Sequence, residues 1–217
     1  MTTTDAQRLS WGSLARERLT GLTSLHGIVS ERVAKQESAD EALRQSVERA
    51  GREATEESEA LSTLKQASEE AARKAKLVAL KIETQHLEGA LSAEALASAM
   101  TAAFPSGAGA VGAHPGERYN GLRRVGSVLE AKPELDRDGD LRRLVSEAAR
   151  TLEVANEAAK KEAAERHEAY KALDEARARW DECYLATKEI VSGLLRDAGR
   201  RGEMAAFFGD LAGHTKR

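Results

Sequence analysis

Two stretches of the chain, residues 22–82 and 141–194, each keep one heptad frame for more than seven repeats. A frame held that long commits a chain to paired helices, because apolar residues spaced by three and four keep one narrow face against a partner helix. In the first stretch the a and d positions include Leu22, Val29, Val33, Leu43, Val47, Ala50, Leu61, Leu64, Ala71, Ala75, Val78 and Ile82. In the second they include Leu141, Val145, Ala148, Leu152, Ala155, Ala159, Leu173, Ala176, Trp180, Cys183, Ile190 and Leu194.

Composition agrees. Aromatic residues make up only 4% of the chain and charged residues 32%, and three prolines interrupt it. A thick globular core draws much of its buried area from aromatics, whereas a two-helix seam does not need them. The expected fold is all-α: a long antiparallel coiled-coil hairpin with short extra helices at the turn and at the C-terminus, one structural unit overall.

Along the chain, residues 1–89 read as the first long helix. It starts near Thr4, whose hydroxyl can cap and whose partner Gln7 stands three residues on. Ser38-Ala-Asp-Glu41 reads as a capping box in mid-helix, so a break near 36–38 is the alternative to one continuous helix. Residues 90–140 read as a helical cap. Ser92 starts one short helix there, a Gly/Pro-rich loop spans 105–116, and a second short helix runs around 117–131. Residues 141–217 hold the second long helix, broken near Gly199 and Gly202, and a short C-terminal helix. Setting Ile82 against Leu141 places Leu43 opposite Trp180, Val29 opposite Leu194, and the charged seam residues Glu57 and Arg166 opposite each other. Such a pair would fix the register.

The terminal end of the hairpin is richer in apolar residues than a two-helix stripe requires. Trp11, Leu14, Leu22, Leu25 and Leu195 would meet Met204, Phe207, Phe208 and Leu211, the last four spaced i, i+3, i+4, i+7 as one helical face. Either the C-terminal helix folds back over this surface or another chain covers it. These nine residues are the expected interface for a protein partner or for self-association. A membrane surface is the alternative docking site, since Arg200, Arg201, Lys216 and Arg217 flank the phenylalanines.

Motifs for chemistry are weak. Asp136-Arg-Asp138-Gly-Asp140, with Glu147 at position twelve, matches the oxygen-ligand spacing of a calcium loop, but Leu141 stands where that loop turns on glycine. The plainer reading is a polar turn in which Asp138 or Asp140 caps the last helix. Glu83-Thr-Gln-His86 is a lone Glu-x-x-His, and a di-iron bundle needs two. The glycine loop lacks a following Lys-Ser/Thr and reads as a connector. Cys183 stands alone at a seam position, where a thiol acts as a small apolar group.

The 33 basic and 36 acidic residues are well mixed, for a net charge of −3, so no basic tract speaks for nucleic acid. No secretory signal and no apolar run of about 20 residues is seen, and the cytoplasm is the expected location. The expectation is therefore a non-enzymatic structural or adaptor protein without a cofactor. A peripheral membrane-surface protein and a calcium-responsive one are the alternatives.

Overall fold

The computed structural model describes residues 3–22 and 27–211. Among them six α-helices and no strand occur: α1 (Asp5–Thr20), α2 (Gly27–Leu87), α3 (Ala93–Ala103), α4 (Pro115–Ala131), α5 (Asp140–Asp197) and α6 (Met204–Phe207). Single 3-10 turns cover Pro133–Leu135, Arg201–Glu203 and Gly209–Leu211. The fold is all-α, with α2 and α5 as the packed arms of a helical hairpin.

The first long helix is not continuous from Thr4 to Gly89. Thr4 and Gln7 do form the capping box, but α1 ends at Thr20. The amides of Gly21 and Leu22 turn back to the carbonyls of Arg18 and Leu19. Glycine inside a helix costs about 0.5–1 kcal/mol relative to alanine, so Gly21 makes the helix easy to stop. The alternative break at 36–38 is absent as well. α2 runs straight through, with Ser38 an exposed helical residue and Gln36 and Asp40 buried.

The remaining stops follow local chemistry. Gly89, at φ 77°, ends α2 as the amide of Ala90 bonds the Gln85 carbonyl at 2.8 Å. Ser92 accepts from the amide of Ala95 and caps α3. Gly199, at φ 70°, ends α5 in the same way as Gly89, with Arg200 reaching back to the Leu195 carbonyl.

By their internal contacts the residues fall into two units, Met1–Ala54 with Glu165–Arg217, and Thr55–Ala164. The core of the first holds Ala15, Leu19, Val29, Leu43, Leu173, Trp180, Val191 and Phe208. Here the face of α5 departs from the strict heptad. After Trp180 the buried residues are Tyr184, Thr187, Val191 and Leu195, while Cys183, Ile190 and Leu194 are only partly covered. A straight helix of 3.6 residues per turn drifts away from a 3.5 frame. Packing by α1 and the C-terminal segment gives the drifted face something to bury against.

The core of the second unit holds Ala75, Val78, Ile82, Phe104, Leu122, Leu129, Leu141 and Leu152. Ile82 and Leu141 share this core, and Lys74 on α2 lies 3.8 Å from Glu147 on α5. Leu61, a seam residue by its spacing, is 50% exposed. The covered cluster begins only at Leu64, and two helices alone bury a narrow seam. The glycine loop is not a loose connector. Val111 is buried, and a Cβ at Gly109 would come within 2.8 Å of Lys76 Cα.

Candidate functional site

Asp40 on α2 is the best-built polar group of the first unit, and it occupies a heptad seam position. Its residue is 1% exposed. Oδ1 accepts from Trp180 Nε1 on α5 at 2.7 Å and from Gln36 Nε2 one turn earlier at 2.9 Å. Oδ2 accepts from Arg16 Nε on α1 at 2.8 Å. Gly12 lets the carboxylate touch the α1 backbone, since a Cβ there would lie 2.1 Å from Oδ1. One carboxylate thus ties three helices. A buried charge is tolerated only when paired and fully hydrogen-bonded, and Asp40 meets that condition. Three donors from three helices converge on its two oxygens, so the group acts as a lock between those helices. Sequence reading placed Asp40 in a supposed capping box and missed this role. The signal lay in Trp180, whose indole N–H needs an acceptor once buried.

Two further ion pairs hold α1 to α5. Arg8 donates through two nitrogens to Asp181, each at 2.9 Å, and Arg177 donates to Asp5 at 2.8 and 2.6 Å. The hydrogen bonds and charge of Arg177 hold the Asp5 carboxyl below its ordinary range.

Of the nine expected interface residues, eight lie among those described, and the chain's own packing covers them wholly or in part. Phe208 is fully buried, edge-on to Tyr184 at 5.6 Å, and Tyr184 stacks on Trp180 at 4.7 Å. Phe207, Leu22 and Leu195 are buried, while Trp11, Leu14, Met204 and Leu211 are partly covered. Leu25 lies outside the described residues, as do Lys216 and Arg217. The C-terminal segment is not the continuous helix its spacing predicts. α6 is one turn, and Phe208 is extended at φ −119°, ψ 116°. Gly209 sits against Trp11 and Leu14, where a Cβ would come within 2.9 Å, so the chain kinks and turns both phenylalanines inward. Asp210 then clasps α5, accepting from Tyr184 Oη at 3.0 Å and from Lys188 Nζ at 2.6 Å. Burial, with the Asp210 charge beside it, pushes the Tyr184 hydroxyl far above its usual range. Arg18 donates to the Ala206 carbonyl from α1.

The acidic loop does not gather a metal site. Asp136, rather than Asp138 or Asp140, caps α5: Oδ1 accepts from the Leu141 amide at 2.9 Å, and Oδ2 from the Arg142 amide and Nε at 2.9 and 3.0 Å. Burial alone would raise this carboxyl, but the bonds from Arg142 and Leu141 outweigh it and hold the pKa low. Asp140 pairs with Arg143, Asp138 is exposed, and Glu147 faces Lys74. Among the described residues no three of these four carboxylates bring their oxygens together.

His86 Nδ1 lies 2.7 Å from the Leu91 carbonyl and so serves the turn after α2. Burial raises the Cys183 thiol above its ordinary value, as suits a partly covered packing residue. No protein family, no curated protein and no solved structure matches this chain. No helix among the described residues is long and apolar enough to cross a membrane.

Proposed function

We propose that the chain is a non-enzymatic structural or adaptor protein that works by protein–protein contact, with coiled-coil pairing along its heptad stretches. One observation carries the reading. The two buried acids among the described residues, Asp40 and Asp136, each accept three hydrogen bonds from the chain's own helices and so serve the packing of the fold. The long helix surfaces carry mixed charge, which suits recognition by contact.

A tagged pull-down from the native cell, with mass spectrometry and stoichiometry, tests this. A stoichiometric protein partner or a defined self-assembly is expected. Recovery of the chain with lipid alone would instead favour the membrane-surface reading. That reading requires residues 201–211 to leave their seat, because Phe207 and Phe208 point inward. Co-sedimentation with anionic vesicles that survives Phe207→Ala and Phe208→Ala would remove the docking-helix version of it. A cytoplasmic location is part of the proposal, and imaging of a tagged full chain checks it.

A further inference from the structure

The second unit carries an open groove of about 570 Å³ between α4 and α5, floored by Leu122, Val145 and Ala149. Gly126 stands in its wall in mid-helix, where glycine costs about 0.5–1 kcal/mol relative to alanine. The fold does not ask for it. A Cβ at Gly126 would meet only Val145 Cγ1, at an ordinary 3.8 Å. Gly121, one and a half turns earlier, shows the contrast: a Cβ there would lie 2.4 Å from the Val111 carbonyl oxygen. So α4 keeps bare backbone at a place where nothing inside the unit presses on it.

The charges around that spot have a pattern. Arg123, Gly126, Ser127 and Glu130 follow i, i+3, i+4, i+7 and share one outward face of α4. Arg123 lies over the Tyr119 ring at 6.0 Å. Among the described residues neither Arg123 nor Glu130 has an ion-pair partner. Two helical turns, about 10.5 Å of rise, separate them, too far for a pair within one helix. They carry opposite signs and stand symmetrically about the small pair Gly126 and Ser127. That is the arrangement by which a helix complements an antiparallel copy of itself, since a two-fold axis at the midpoint sets each Arg123 against the other copy's Glu130. A small residue at the crossing lets the helices approach within the 8–10 Å of ordinary packing. A lone anion fits less well, because Glu130 and Glu153 line the same groove as Arg123, Arg142 and Arg150.

We infer that two copies of this chain associate through α4, antiparallel about a two-fold axis at Gly126–Ser127, with reciprocal Arg123–Glu130 pairs. The inference rests on the contact reading above and names one partner for it. A single helix crossing with rim contacts sits at the small end of specific interfaces, so the dimer is weak and concentration-dependent.

Sedimentation equilibrium of the full chain, from about 1 to 300 µM, tests it. The native chain is expected to dimerise within that range. Arg123→Glu or Glu130→Arg alone should weaken association about tenfold or more, and the double exchange should recover most of the loss. Gly126→Leu should also weaken it, while circular dichroism of the dilute protein stays helical. A chain monomeric throughout overturns the inference. So does a dimer indifferent to the exchanges, or a double exchange whose losses simply add. A monomer that still captures a different protein in the pull-down overturns only the dimer and leaves the contact reading standing.

Discussion

Asp40 shows how much one side chain can decide. Its carboxylate receives donors from α1, from α2 itself and from α5, and it is shielded from water. Removing it would leave the buried Trp180 N–H without its acceptor and take from Arg16 the shorter of its two ion pairs. Asp40→Ala is therefore expected to destabilise the protein by about 2–4 kcal/mol, read as a lower urea midpoint at unchanged slope. An unchanged midpoint would mean that water replaces the lost oxygens. Phe208 is the apolar counterpart, fully buried against Tyr184. Phe208→Ala should cost about 3–5 kcal/mol in the same assay. A loss under about 1 kcal/mol would show that the C-terminal segment adds little to the core.

Elements are where sequence reading was strongest and where its failures have clear causes. The two arms were legible because Val29, Leu43, Ile82, Leu152 and Leu173 repeat at three and four, and tertiary packing agrees with that period. Ser92 and Thr4 announced their helix starts, since capping is a local matter. Separating α1 from α2 was not legible. Gly21 differs little in pattern from Gly27 or Gly51, and what sets it apart is that α1 has a better seat, with Gly12, Ala15 and Leu19 buried. The shift of the buried face from Cys183 to Tyr184 depends on neighbours far away in sequence. In the acidic loop the residue types were read correctly, but which aspartate caps depends on a bend at Gly139, φ 74°.

Asp136 yields the element-scale prediction. Its folded-state pKa lies below the ordinary carboxylate value, so its contribution is complete above about pH 4 and disappears as pH falls through the folded value. Asp136→Ala should cost about 1–2 kcal/mol at neutral pH. The gap between variant and native urea midpoints should close on acidification from about pH 5 toward pH 2. A gap constant across that range would show that the cap does not act through its charge.

For the molecule as a whole the decisive feature is connectivity. The second unit is one unbroken span, Thr55–Ala164, whereas the first is assembled from the chain's two ends. The span has its own core, from Ala71 and Ile82 through Leu129 to Leu152. Expressed alone, residues 55–164 should give a helical circular dichroism spectrum and a cooperative thermal transition. A spectrum of random coil would show that its core is not self-sufficient. The first unit offers no such independence. Arg8 finds Asp181, Asp5 finds Arg177 and Trp11 finds Gly209 only after the long span between them has been made. On a ribosome adding about 5–20 residues per second, the 173 positions from Arg8 to Asp181 take roughly 9–35 seconds to make. For that interval the newborn α1 sequence has its tryptophan and leucines but not the partners that will cover them, so the order of synthesis sets a window in which chaperones, or another nascent copy, can reach that face first.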